Sequence, residues 1–270
     1  MPRPLVAALR EARAMLASAA PAEPAEIAIA RRLTRDIDRA IDRLDGRDAD
    51  RDLVAVVCHD LKDPLSSIVM GAGFLRRAVP DDDGTTRRVV EAVARSADRM
   101  SRVIADFHDL ARLEGGTLRV EVNVVDLAHV VREAIAPFVA QAVEKGVALS
   151  LHVMGESVLA LCDRARIDQV VAKLVGNAIK FTAPGGRAEI TLESVAPDAR
   201  LTLADSGRGI AAARLASVFD HAANARQVPR DGPGLGLPIA RGLLELQGGT
   251  IAIESREGHG TTVTVTLPAA

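Results

Sequence analysis

A chain of 270 residues with 48% hydrophobic content is long enough for two domains with sizeable cores, yet aromatics make up only 2% and Trp and Tyr are absent, so the cores must be aliphatic. Lys and Arg total 34 against 36 Asp and Glu, a net charge of −2, which argues against a general nucleic-acid binder. Cys58 and Cys162 show neither metal-ligand spacing nor a disulfide framework, no apolar run approaches the about 20 residues of a membrane span, and Met-Pro-Arg-Pro lacks a signal peptide's apolar core, so a soluble, cytoplasmic protein without a membrane span is expected.

Residues 4–19 read as helix, with Leu5, Leu9, Ala12 and Leu16 on one face, and Pro21-Ala22-Glu23-Pro24 interrupts them. Leu33, Ile37, Ile41 and Leu44 continue a helical period. The charge-rich Asp45-Gly46-Arg47-Asp48-Ala49-Asp50 then reads either as a loop or as a phase slip in a continuing coiled coil. In the next helix Val54, Val57, Leu61, Leu65, Ile68, Ala72 and Leu75 form one buried stripe. His59 falls between the stripe positions, so its imidazole points away from the apolar seam. An exposed imidazole with a free pKa of about 6.5 is a usable nucleophile at cellular pH. Alone, a surface histidine is most often without a role, and this segment by itself does not decide the matter.

That helix should end near Val79-Pro80, and Asp81-Asp82-Asp83-Gly84 is turn chemistry. A second stripe follows (Val89, Val93, Ala97, Met100, Val103 or Ile104, Phe107, Leu110 or Ala111), stopping at Glu114-Gly115-Gly116. Two amphipathic helices joined by a short turn make an antiparallel hairpin. Its stripe is buried either by pairing with a second copy into a four-helix bundle or by packing on its own C-terminal domain.

From about residue 117 the pattern changes. Leu118–Val122, Val147–Leu151, Ala188–Leu192, Leu201–Leu203, Thr250–Ile253 and Thr262–Leu267 read as strands. Residues 127–143, 165–181, 211–219 and 237–247 read as helices between them. Strands mixed with helices and many glycines predict an α/β sandwich, one sheet covered by helices.

Four motifs in this half carry chemistry. In Asn177-Ala178-Ile179-Lys180-Phe181-Thr182, Asn177 and Lys180 share a helix face. An amide oxygen there can ligate Mg²⁺ and an ammonium can meet a phosphate. In Asp205-Ser206-Gly207-Arg208-Gly209-Ile210, just after a strand, a carboxylate can accept from the exocyclic amine of adenine while glycines let backbone pass close to the base. Gly232-Pro233-Gly234-Leu235-Gly236-Leu237 precedes a helix, where clustered backbone N–H groups form a phosphate cradle. Gly258-His259-Gly260-Thr261 leads into the last strand. Each alone reads equally as a cap or a turn; the signal lies in their order.

In that order the four motifs resemble the ATPase domain shared by histidine kinases, Hsp90-type chaperones, type II topoisomerases and MutL proteins. Cys58-His59-Asp60-Leu61-Lys62-Asp63-Pro64-Leu65 is similar to the phosphoacceptor box of sensor histidine kinases, and Asp109–Gly115 to that family's usual end of the second hairpin helix. From about residue 51 onward, roughly 80% of the chain, the sequence looks like a sensor histidine kinase of a two-component system. The resemblance implies an α+β multidomain chain: a helical segment over 1–50, a dimerisation and phosphoacceptor hairpin over 51–115 forming a dimeric four-helix bundle, and an ATP-binding α/β sandwich over 116–270.

The resemblance also implies roles. His59 would be the phosphoacceptor, with Asp60 orienting the imidazole and taking its proton. Asn177 would ligate Mg²⁺, and Lys180 would contact phosphate. Asp205 would read adenine, with Gly207 and Gly209 shaping its pocket. Gly232, Gly234 and Gly236 would be hinge and cradle of an ATP lid over about 220–236. Phe181, Leu235 and Thr261 would complete the nucleotide contacts. The implied partners are a second copy through the hairpin, the receiver domain of a response regulator, and an upstream sensor protein at the N-terminal helices.

Three departures stand out. Lys173 replaces an asparagine usual four residues before Asn177, Asp63 replaces the Thr or Asn usual in the phosphoacceptor box, and no second aromatic follows Phe219. Lys173 either touches phosphate or repels Mg²⁺, and Asp63, an acceptor-only side chain, implies weak phosphatase activity. A nucleotide-binding scaffold without phosphoryl transfer, and a serine kinase or ATPase on the same fold, are the competing readings.

Overall fold

The computed structural model describes residues 101–220 and 234–270. The N-terminal helices, the His59 helix with Asp60 and Asp63, the turn after Pro80, most of the hairpin, and Gly232 in the lid segment lie outside the described residues. One of two compact units begins at Leu118 and includes Gly234–Ala270; the other contributes the described residues 101–117.

Helix α1 is described over 101–114 and stops where the paired glycines predict. Gly116 takes the left-handed conformation at φ 64°, and the Thr117 amide returns to the Arg112 carbonyl at 3.0 Å.

The α/β unit starts differently from expectation. Leu118–Val122 alternates like a strand but forms no ladder; the first strand, β1, is Asn123–Asp126. It pairs antiparallel with β3, Leu159–Cys162, a strand the sequence reading did not single out. The alternation before β1 does not follow burial: of the residues on its apolar side Leu118 is buried at 4% exposure while Val122 is 45% exposed.

Helix α2, Leu127–Lys145, starts on Asp126, whose side chain accepts the Ala128 amide, and ends at Gly146 with φ 71°. Pro137 sits inside it on the exposed side and the helix continues through. Helix α3, Arg164–Phe181, starts on Asp163, which accepts the Ala165 and Arg166 amides. Its buried face is Ile167, Val170, Val171, Leu174, Val175, Ala178 and Ile179, spaced at three and four residues.

The main sheet has the order β2-β4-β5-β7-β6. Its strands are β2 (Ala148–Met154), β4 (Arg187–Val195), β5 (Asp198–Asp205), β6 (Thr250–Ser255) and β7 (Thr261–Pro268). β2 runs parallel to β4 and the remaining pairs are antiparallel. Ala188, Ile190 and Leu192 of β4, Leu201 and Leu203 of β5, and Val263, Val265 and Leu267 of β7 are buried. The opposite face carries Thr191, Thr202 and Thr264 in one row, with an Arg200–Glu193 ion pair at 3.2 Å. Helices α2, α3 and α5 (Gly236–Glu245) therefore cover one face only, the two-layer arrangement expected. The predicted helix over 211–219 is shorter: α4 is Ala212–Leu215, followed by turns, with no buried residue and no side-chain cap to extend it.

Candidate functional site

The site forms where the core ends. Residues 199, 201 and 203 of β5 are buried, and Asp205 continues that column at the strand's last position. Thr261 begins the column of Val263, Val265 and Leu267 on β7 and stands opposite Asp205 in register. Directly opposed residues on paired antiparallel strands share a face. Both polar side chains thus lie on the helix-covered side of the sheet, at one edge.

The Asp205 carboxylate is held by its own turn. Its Oδ1 accepts the Gly207 amide at 2.8 Å, and the Thr261 amide also reaches the carboxylate. Burial nevertheless pushes its pKa above the usual carboxylate value, outweighing the two amides that pull it down. A half-buried carboxylate with lone pairs left to satisfy suits a ligand that donates hydrogen bonds.

Two glycines bring the motifs into contact. A Cβ on Gly207 would lie 2.7 Å from the Phe181 carbonyl oxygen, which accepts the Arg208 amide at 3.2 Å; this joins the Asp205 turn to the end of α3. Gly209, at φ 66°, lies against the Arg256 carbonyl, where a Cβ would approach to 2.1 Å. The Gly258 amide donates to the Arg208 carbonyl at 2.7 Å, tying in the turn before Thr261.

At the end of α3, Phe181 is flanked by two cations. The Lys180 Nζ lies 4.9 Å and the Arg208 Cζ 4.5 Å from its ring centroid. Lys145, not singled out from sequence, donates from Nζ to the Ile179 and Lys180 carbonyls at 2.6 Å each, so α3's last turn is held from α2. Thr182, next in sequence, is 1% exposed with its Oγ1 unpaired.

Asn177 and Lys173 face the start of α5. A Cβ on Gly236 would meet Asn177 Nδ2 at 3.8 Å and Lys173 Cβ at 3.9 Å. Leu235, the residue before the helix, makes no side-chain cap bond, and Pro238 has no amide hydrogen. The Gly236 and Leu237 amides thus open the helix beside Asn177, where its dipole favours an anion. Gly234 precedes them at φ 67°. Leu235 is 2% exposed, so its side chain belongs to the core and only its backbone can serve the site. Phe219 lies under Arg241 of α5, with the Cζ 5.8 Å from the ring centroid.

The structure thus brings together Asn177, Lys180, Phe181, Asp205, Gly207, Gly209, Gly236 and Thr261. Among the described residues, no three His, Cys, Asp or Glu side chains cluster to hold a metal. The donor set there fits a Mg²⁺ held by one amide oxygen and by phosphates rather than by a protein cage. Cys162, fully buried and with a thiol pushed up to about 11 by desolvation and then by neighbouring Asp163, has no part in the chemistry. No described helix is long and apolar enough to cross a membrane.

Comparison with known proteins agrees with this geometry. Residues 162–270 match the family described as histidine kinase-, DNA gyrase B- and HSP90-like ATPase, and residues 49–116 match the His Kinase A (phospho-acceptor) domain. The chain is 33% identical over 245 residues to the sensor protein DivL of Caulobacter vibrioides, covering 87% of this chain and 31% of that protein. It is 32% identical over 262 residues to the sensor protein kinase PmrB of Pseudomonas aeruginosa, covering 96% and 54%. The chain therefore spans about a third to a half of these relatives. Full-length ShkA, solved in complex with AMPPNP, superposes with a TM-score of 0.68 at 26% identity, over 82% of this chain and 46% of that one.

Proposed function

The chain belongs to the two-component sensor histidine kinases, and we propose that it is an ATP-dependent protein-histidine kinase. In this reading it phosphorylates its own His59 and passes the phosphoryl group to an aspartate on the receiver domain of a response regulator. The observation that carries the reading is the convergence of Asp205, Thr261, Asn177 and the open start of α5 at one sheet edge.

Asp205 and Thr261 hold the base, with Gly207 and Gly209 allowing its close approach. Lys180 and the Gly236 and Leu237 amides bind phosphates. Asn177 supplies an oxygen to Mg²⁺, which would neutralise charge on the phosphates when bound. Phosphoryl transfer asks mainly for positioning and charge neutralisation, which these groups provide. His59 is the nucleophile and Asp60 its orienting base.

The proposed organisation is input over 1–50, a dimerising phosphoacceptor hairpin over 51–115 and the ATP-binding unit over 116–270, in a cytoplasmic homodimer. Asp63, in the same sequence motif as His59, implies little phosphatase activity toward the regulator, because a carboxylate cannot donate a hydrogen bond to position water.

The test is autophosphorylation with γ-labelled ATP and Mg²⁺ on the wild type and on His59→Ala. Acid-labile label that disappears in the variant supports the reading. A wild type that binds nucleotide but takes no label refutes it in favour of a scaffold. Acid-stable label refutes it in favour of a serine kinase.

A further inference from the structure

We propose that Ser255 is a positioning residue that sets this site's preference for a 6-aminopurine over a 6-oxopurine. The inference rests on the nucleotide-site reading above. Asp205, Thr261 and Ser255 stand in one row across β5, β7 and β6, each opposite the next in register. Ser255 is in phase with Ile251 and Ile253, so it closes the β6 column as Asp205 closes that of β5.

The Ser255 hydroxyl makes three contacts. It accepts the Ile210 amide at 2.8 Å, donates to the Gly260 carbonyl at 2.8 Å, and lies 2.9 Å from Thr261 Oγ1. A hydroxyl has one proton and two lone pairs. A carbonyl cannot donate, so the proton goes to Gly260. One lone pair is taken by the Ile210 amide, and the contact with Thr261 then requires Thr261 to be the donor. The Thr261 proton is committed to Ser255, and Thr261 Oγ1 offers only lone pairs to a ligand.

The Gly260–Thr261 peptide extends the same effect. Its carbonyl is held by Ser255, and its amide reaches the Asp205 carboxylate. Ser255 therefore fixes both the proton on Thr261 and the peptide that orients Asp205. Through Ile210 it also holds the Gly209 turn.

Both side chains that face the base edge are thus acceptors. An exocyclic amine satisfies them with its two hydrogens. A 6-oxo group places an oxygen against them and leaves buried acceptors unpaired, the arrangement that discriminates most strongly between near-isosteric ligands.

The experiment compares equilibrium binding of ATP and inosine triphosphate to the full chain, for the wild type, Ser255→Ala and Ser255→Thr, by titration calorimetry. The wild type is expected to prefer ATP. In Ser255→Ala the Thr261 hydroxyl is free to turn its proton to the ligand. The ATP-to-inosine-triphosphate affinity ratio is then expected to fall by roughly tenfold or more, the equivalent of one hydrogen bond. Ser255→Thr keeps the hydroxyl and is expected to restore the ratio.

Equal weakening of both nucleotides in Ser255→Ala, or an unchanged ratio, overturns the proposal by reducing Ser255 to a structural residue. A folded wild type that binds neither nucleotide overturns the nucleotide-site reading instead. If Ser255→Ala does not fold, Thr261→Val removes the acceptor itself and must lower the same ratio; an unchanged ratio there is equally fatal.

Discussion

Replacing Asp205 with asparagine separates the two things that carboxylate does. The change is nearly isosteric and retains one oxygen, which the Gly207 amide, accepted by Oδ1 at 2.8 Å in the wild type, and the Thr261 amide must then share. It removes the negative charge and turns one oxygen into an NH₂ donor. A hydrogen bond to a charged group contributes about 1.5–3 kcal/mol, so losing the one proposed to the exocyclic amine predicts a fall in ATP affinity of roughly 10- to 150-fold. Stability should move the other way. Burial raises the Asp205 pKa in the folded protein, so the folded state binds its proton more tightly than the unfolded chain does. The stability this group contributes is fully present below the unfolded pKa and is lost as pH rises through the folded one. At neutral pH the ionised carboxylate is a net cost that asparagine removes. Ligand-free Asp205→Asn is therefore expected to be as stable as the wild type or more so at pH 7. Any gap should close on acidification, as the wild-type carboxyl is protonated. Wild-type ATP affinity should itself begin to fall above the usual carboxylate range. Calorimetry of ATP binding, with urea unfolding at pH 7 and at successively lower pH, reads both effects. Near wild-type ATP affinity in the variant, or a clear loss of ligand-free stability at pH 7, would refute the reasoning.

Gly209→Ala is expected to cost about 1–2 kcal/mol for the left-handed backbone alone. The new Cβ would also lie 2.1 Å from the Arg256 carbonyl oxygen, so urea unfolding should show at least that loss together with lost nucleotide binding. Lys145→Met removes the ammonium that holds the Ile179 and Lys180 carbonyls. A loss of about 1.5–3 kcal/mol in urea unfolding is expected, with Lys145→Arg retaining most of the stability. Lys173→Asn removes a cation beside Asn177 and the start of α5. If that cation repels Mg²⁺, the autophosphorylation rate at saturating ATP should rise; an unchanged rate removes the repulsion argument.

The elements legible in the sequence were those whose burial is periodic and long. The stripe of α3 and the alternation of β4, β5 and β7 report burial against one covered face, and each was placed within a few residues of where it lies. β1 and β3 were missed because each is four residues long and owes its existence to the other, and pairing leaves no mark in a single strand's pattern. The same reason accounts for the false strand at Leu118–Val122, where alternation without a partner left a segment buried only at Leu118. The predicted helix over 211–219 shortened because its alanines bury nothing.

The site was legible where chemistry and backbone demands coincide. Close approach to a base predicts Gly207 and Gly209, and the structure gives both a separate backbone reason: each packs against a carbonyl, of Phe181 and of Arg256, where no larger residue fits. Lys145 was not legible, because its partners are carbonyls 34 and 35 residues away that only the packing of α2 on α3 brings near.

Ser255 lies between these cases, and it shows how a site can be found from register. Along β5 the helix-facing column reads Leu201, Leu203, Asp205; along β6 it reads Ile251, Ile253, Ser255; and along β7 Thr261 precedes Val263, Val265 and Leu267. Each column is apolar until the same edge and polar there. A polar residue in a core-facing column needs a partner, and three in one row can partner one another only in part. Thr261 and Ser255 do so, while Asp205 keeps acceptor capacity beyond its two amides. The α3 C-terminus reaches this edge with its carbonyls, two of them covered by Lys145, and α5 begins near it with open amides. The edge therefore pairs a surplus of acceptors at the sheet with a surplus of donors at the helix start. A molecule with an amine at one end and phosphates at the other satisfies both.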